Sequence, residues 1–282
     1  MIYIVEIVVC QCAFMMVSIK SHHLNISNIM SSTNFRKQGP ASALAMFEAE
    51  AEGLAELRQA GAVRVPEVYD VGADANGAYI EMERFELQRG GERDAAALGE
   101  GLAALHKRTT ELHGWHRDNT IGPTPQLNPQ TADWVAFFRE HRLQYQLDLA
   151  ARNGYVGELQ DQGSRLAERL EDLFESYDPA PSLLHGDLWA GNWGVADDEP
   201  VIFDPAVYYG DRESDIAMTQ LFGGFGDAFY REYERAWPLA AGSAERLELY
   251  KLYHVLNHLN LFGSGYLDQA LSILRRLTCL KF

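Results

Sequence analysis

"LLHGDLWAGNWG", residues 183–194, sets a carboxylate, Asp187, directly behind a His-Gly pair and an amide, Asn192, five residues further on. Both follow what reads as the apolar end of a strand. "VIFDPA", residues 201–206, then ends a second apolar run in another carboxylate, Asp204, twelve residues after Asn192. Loops use Asp, Asn and Gly freely, so each residue has a plain alternative: Asp187 as a turn or capping Asp, Asn192 as an amide that stabilises a turn. Three fitting positions together point elsewhere.

The Asp-x-x-x-x-Asn spacing, with His185 ahead of it, is that of the protein-kinase catalytic loop. Phosphoryl transfer asks little covalent chemistry of a protein. It needs a hydroxyl aimed, metal bridging the phosphates, and a cation on the α/β-phosphates. Asp187 is placed to face the hydroxyl, and Asn192 and Asp204 to hold Mg²⁺, which takes few carboxylates and several phosphate or water oxygens. The cation would be a Lys on a strand of the small lobe, paired with a Glu on the following helix. Between Lys20 and Lys107 the chain has only Lys37. At 100° per residue Glu48, Glu52 and Glu56 point away from the apolar face of helix 41–61, while Glu50 falls within it, between Phe47 and Leu57. An inward carboxylate wants a cation, and Lys37 is the candidate. The alternative leaves Lys37 in a solvated loop and Glu50 at the helix boundary.

Outward from that loop the chain reads as α+β. "ASALAMFEAEAEGLAELRQAG" (41–61) is a helix with Leu44, Phe47, Ala51, Leu54 and Leu57 on one face and Gly61 as its stop. "VRVPEVYDVG" (63–72) and "GAYIEMERF" (77–85) are strands joined by a turn at "ADANG". A second helix covers 94–109 with Asp94 as N-cap. Residues 111–131 form a long polar, aromatic loop of the kind that is usually functional or disordered. Helices follow over 132–152 and 156–176, then a short strand pair over 194–204, then helices to the end. Strands and one helix ahead of a mostly helical body predict a protein-kinase-like fold of two unequal lobes, a small one over 35–85 and a larger one over 86–282.

The 282 residues carry a net charge of −16, which argues against a nucleic-acid groove. Cysteines stand at 10, 12 and 279, so no disulfide framework staples the body, and a reducing cytoplasm is expected. Residues 1–34 differ in composition, with one Ala, one acidic residue and no Gly. Glu6 and Gln11 interrupt its apolar run, which lacks a basic flank and a small-residue cleavage site, so a membrane or export segment is the lesser reading. The segment is expected to lie outside the ancestral domain and to contribute little to catalysis.

The chain resembles the fructosamine-3-kinase (ketosamine-3-kinase) family of the protein-kinase-like superfamily. The resemblance lies in "MFEAEAEGL", "RVPEV", "GWHRDNTIGPTPQLNP", "DWVAFFREHRLQYQLDLA", "LLHGDLWAGNWG", "IFDPAVYYGDRESDIAM" and "LFGGF". It implies ATP-dependent phosphorylation of the 3-hydroxyl of a ketoamine sugar on an amine, free or a protein lysine, by a monomer that binds neither membrane nor nucleic acid. Ribulosamines or erythrulosamines are favoured over fructosamines. By resemblance Asp187 is the catalytic base, Asn192 and Asp204 are Mg²⁺ ligands, and Lys37 with Glu50 forms the phosphate-binding pair. Met82, Glu83 and Phe85 are similar to the hinge whose backbone pairs with adenine, and Trp189, with His185, lies on the sugar side. Trp189 as a core residue under the loop is the alternative. Asp215 either accepts N–H bonds from the catalytic loop or simply caps a helix. Family members carry a Gly-containing hairpin ahead of the Lys strand, whereas residues 1–38 contain no Gly. That leaves two other readings: a small-molecule kinase of the aminoglycoside or choline type, and a pseudokinase.

Overall fold

The computed structural model describes residues 34–280, so the expectations for the N-terminal segment, its missing glycine hairpin, Cys10 and Cys12 lie outside the described residues. The small lobe is an antiparallel sheet of β1 (Asn34–Gly39), β2 (Val68–Asp74) and β3 (Gly77–Glu83), with β3 central, and α1 (Leu44–Ala60) packed against it. Period-2 alternation in β3 buries Ala78, Ile80 and Met82, and the 3.6 period of α1 buries Phe47, Leu54 and Leu57. Each large side chain removed from water in this way contributes about 1.5–3 kcal/mol. Gly61, with φ 64°, ends α1 in a left-handed cap.

The larger lobe begins with α2 (Glu92–His106), followed by a hairpin of β4 (Asn119–Ile121) and β5 (Thr124–Gln126). Next α3 (Trp134–Phe138) passes through a π-helical stretch (Arg139–Gln144) into α4 (Tyr145–Arg152), and α5 (Glu158–Glu168) follows. Four short strands then cross the chain: β6 (Ser182–Leu184) pairs with β9 (Tyr208–Gly210), and β7 (Trp193–Ala196) with β8 (Glu199–Ile202). The body closes with α6 (Glu213–Thr219), α7 (Asp227–Ala236), α8 (Ser243–Phe262) and α9 (Leu267–Thr278). α8 runs through the core, burying Leu249, Tyr250, Leu252, Tyr253, Val255, Leu256 and Leu259. Among the described residues no helix is long and apolar enough to cross a membrane.

Several elements depart from their sequence reading. Residues 63–67 are not strand: Pro66 offers no N–H, and only an isolated bridge from Arg64 to Val201 forms before β2 begins at Val68. The "ADANG" turn shrinks to Ala75-Asn76, because Asp74 and Gly77 pair and the Asp74 carboxylate takes the Asn76 N–H at 2.7 Å. α2 is capped at Gly91 rather than at Asp94. Asp94 sits inside the first turn and reaches back to accept the Gly91 N–H at 2.8 Å, capping from the third helical position. The long loop holds the β4–β5 hairpin, and the helix expected over 156–176 breaks at Arg169 into a 3₁₀ turn over Leu170–Phe174.

Candidate active site

β6 delivers the chain into the loop that carries Asp187, and Gly186 makes the turn possible. It has φ 83°, and a Cβ there would stand 2.0 Å from the Ala206 carbonyl oxygen. Asp215, in the first turn of α6, holds the loop from below: its carboxylate accepts the His185 N–H at 2.7 Å and the Gly186 N–H at 2.8 Å. Burial alone would raise this carboxyl, but the hydrogen bonds it receives from His106 and the Gly186 N–H keep it below its usual range. Behind it, His106 Nε2 lies 3.2 Å from Asp215 and Nδ1 lies 2.8 Å from the Tyr233 hydroxyl. Burial lowers the His106 pKa, so the neutral ring fits here with its proton on Nε2, toward the carboxylate. Arg212 donates to that same Tyr233 oxygen at 2.9 Å.

His185 is fully buried, with Nε2 at 3.0 Å from the Phe203 carbonyl and Nδ1 accepting the Asp187 N–H at 3.3 Å. This corrects its expected place on the sugar side: both ring nitrogens are used to brace the loop. Trp189 is half-buried, its ring edge-on to Phe222 at 6.5 Å, and its Nε1 is buried with no hydrogen-bond partner among the described residues. Phe222, at φ 54°, also faces His258 at 4.6 Å; the sequence signalled Phe222 only through "LFGGF" and His258 not at all.

Asn192 Nδ2 donates to the Asp187 main-chain oxygen at 2.8 Å and lies 3.5 Å from the Asp204 main-chain oxygen. That orientation leaves Asn192 Oδ1 buried and without a donor among the described residues. A buried acceptor with no donor is costly, and a divalent cation beside it would satisfy it. Asp204, at φ 56°, supplies a carboxylate in the adjoining position. One Asp and one Asn oxygen fit Mg²⁺, which takes its other ligands from water and phosphate.

From the small lobe, Lys37 on β1 reaches into this site. Its Nζ lies 2.6 Å from Glu50 Oε1 and 2.6 Å from Asp204 Oδ1. Burial would lower the Lys37 ammonium's pKa, but the two carboxylates overcome it and hold it raised. Burial pushes the Glu50 carboxyl up against the pull of Lys37, and Asp204 adds to the push. β1 and α1 thus bring together the two residues that periodicity and lysine scarcity had singled out.

Met82 is buried at the end of β3. Glu83 gives its N–H to the Glu67 carbonyl at 2.7 Å, and its carboxylate pairs with Arg64 at 2.8 Å. Arg64 also covers the Phe85 ring at 4.7 Å, a bracing residue that no local pattern revealed. The Phe85 N–H and C=O make no backbone hydrogen bond among the described residues. Beyond Phe85, a cavity of about 620 Å³ adjoins the loop that carries Asp187 at Ala190 and Trp193 and reaches Arg89, Gly224 and Arg231.

A three-stranded sheet and one helix carrying a Lys–Glu pair, set over a helical lobe with Asp187, Asn192 and Asp204, define a protein-kinase-like phosphotransferase. The fructosamine kinase family model matches residues 20–280, and the chain belongs to that family. A Synechocystis protein classed as a ketoamine kinase is 45% identical over 249 residues, 88% of this chain and 83% of that protein. The chloroplastic protein-ribulosamine 3-kinase of Arabidopsis thaliana is 42% identical over 263 residues, 92% of this chain and 78% of the relative. The crystal structure of a Haemophilus somnus protein classed as a fructosamine-3-kinase superposes with a TM-score of 0.82 at 30% identity, over 89% of this chain and 85% of that one. An ADP-bound aminoglycoside phosphotransferase shares the fold alone, at 15% identity and a TM-score of 0.58 over 87% of this chain and 86% of that one.

Proposed function

We propose that this chain is an ATP-dependent ketosamine 3-kinase, with ribulosamines or erythrulosamines, free or on protein lysines, as its acceptors. The observation that carries the reading is the convergence of Asp187, Asn192, Asp204 and Lys37 in a member of this family. In this reading Asp187 accepts the proton of the acceptor hydroxyl as its oxygen bonds to the γ-phosphorus and the bond to the ADP oxygen breaks. Lys37, steered by Glu50, moves from Asp204 to the α/β-phosphates. Asn192 Oδ1 and Asp204 would hold Mg²⁺, which neutralises phosphate charge when bound. The Phe85 backbone, without a backbone hydrogen bond among the described residues, would pair with adenine, and Met82 would line its pocket. Trp189, with Phe222 beside it, offers the aromatic wall against which the sugar and its amine would lie.

Purified chain with ATP and Mg²⁺ should phosphorylate ribulosamine and fructosamine adducts and leave kanamycin and choline untouched. Turnover of either alcohol without turnover of the ketosamines would give the site to the aminoglycoside or choline type. No transfer to any acceptor, with no ATP binding, would make it a pseudokinase.

A further inference from the structure

"GWHRDN", in the long loop, has no part in the chemistry above, yet its side chains leave the larger lobe and grip α1. Arg117 Nη1 and His116 Nε2 take the two oxygens of Glu52 at 2.6 and 2.7 Å. Arg117 Nη2 lies 3.9 Å from Glu48 and donates to the Ala45 carbonyl at 3.3 Å. Glu56 receives the Tyr209 hydroxyl at 2.6 Å and the Trp115 indole N–H at 3.4 Å. Glu48, Glu52 and Glu56 are four residues apart, one stripe on the outer face of α1, and like charges at that spacing destabilise a helix unless cations meet them. Glu50 lies some 200° around the helix from that stripe, on Lys37.

The loop is in turn fastened to its own lobe. Gly114 and Tyr209 exchange backbone hydrogen bonds at 2.8 Å, and Asn119 and Gln126 donate to the Val207 and Ala206 carbonyls at 2.7 and 3.1 Å. Arg142, fully buried, donates to the Leu127 carbonyl and to Asn128 Oδ1. α1 also sits directly on the segment after Asp204: a Cβ on Gly53 would meet Val207 Cγ2 at 3.0 Å.

We propose that Trp115, His116 and Arg117, with Tyr209, are positioning residues that clamp α1 from outside and so keep Glu50 on Lys37 before nucleotide arrives. The consequence for catalysis rests on the kinase reading of Lys37; the clamp itself does not. Exposed ion pairs are individually weak, so the clamp works through several contacts on one rigid helix. Arg117→Ala and Glu52→Gln should each speed amide exchange over residues 47–57 by roughly three- to tenfold. Each should raise the KM for ATP by a similar factor, with the KM for ketosamine and the Tm near those of the parent. Arg117→Lys should recover part of the loss, and the exchanged pair Arg117→Glu with Glu52→Arg more than either single reversal. Unchanged α1 exchange in Arg117→Ala, or an exchanged pair no better than the sum of its single reversals, would overturn the clamp. Should Arg117→Ala fail to fold, Arg117→Lys and Glu48→Gln carry the same readouts. Faster α1 exchange in a chain whose parent phosphorylates nothing would leave the clamp standing and sink the proposed activity instead.

Discussion

The Asp187 main chain gives its N–H to His185 Nδ1 and its carbonyl accepts from Asn192 Nδ2 and the Trp189 N–H, while Asp215 holds the preceding two residues, so an isosteric change of its side chain leaves the frame of the loop in place. Asp187→Asn keeps the shape and removes the carboxylate proposed to accept the proton. Turnover is expected to fall by about 10²–10⁴, the usual worth of a general base, with ATP affinity nearly intact. Steady-state kinetics with a separate nucleotide-binding measurement check this, and retained phosphorylation would strip Asp187 of its role. At the proposed Mg²⁺ position, Asp204→Ala removes a carboxylate and one of the two partners of Lys37. It should weaken ATP-Mg²⁺ binding by more than about tenfold, ~1.4 kcal/mol, whereas Asn192→Ala, losing a neutral amide, should weaken it less. Equal affinities of Asp204→Ala and parent in calorimetry would remove Asp204 from that place. That these residues meet was legible because short spacings put them on one loop and at the end of the next strand. One of the two readings of Asp215, as acceptor of the loop's N–H groups, is the one the structure shows; the inward turn of His185 was not legible, because whether a buried side chain faces the loop backbone or the substrate depends on what packs behind it.

Between elements, packing rather than propensity decides. α2 crosses α7 at Gly99, where a Cβ would stand 2.3 Å from the Phe229 carbonyl oxygen. Ala is the better helix former by about 0.8–1 kcal/mol, but forcing atoms into a filled contact costs about 1–3 kcal/mol, and here the obstacle is backbone. Gly99→Ala should therefore lower the Tm, by some 2–4 °C for each kcal/mol lost in a chain of this size. A Tm at or above the parent's would show that the two helices part freely. The same logic separates the elements that were readable from those that were not. α1 and β3 repeat their apolar residues at 3.6 and 2, and their positions follow. β4 and β5 are three residues each, one with a proline, and their hairpin is held by side chains such as Asn119 and Gln126 bonding to the Ala206–Val207 backbone.

Across the whole molecule, buried histidines tie stability to pH. Burial lowers His113 to about 4, against the pull of Asp178 and Asp133, and lowers His254 to about 3, with His258 adding to the effect. Both are neutral in the fold and titrate near 6.5 once unfolded. Below that pH the unfolded chain binds the protons first, so stability is complete above about 6.5 and is lost as pH falls toward the folded values. Each histidine contributes a slope of about 1.4 kcal/mol per pH unit at most. Urea melts at pH 7, 6 and 5 should show a shallower decline in His113→Phe than in the parent, a difference from which titrations common to both cancel. Parallel declines would mean that His113 is as easily protonated in the fold as out of it.

By itself the sequence determined the α+β class, the two lobes, the Asp187–Asn192–Asp204 set and the pairing of Lys37 with Glu50. Each of these is written in local spacing, helical phase or the scarcity of one residue type. Only the tertiary structure decided that His185 turns inward, that Arg64 braces Glu83 and Phe85, and that Trp115, His116 and Arg117 reach across to α1. Arg117 and Glu52 stand 65 positions apart, and Arg64 and Asp197 133 apart. No periodicity along a chain encodes such a meeting; it exists because the two lobes pack so that a stripe of glutamates faces a loop of donors.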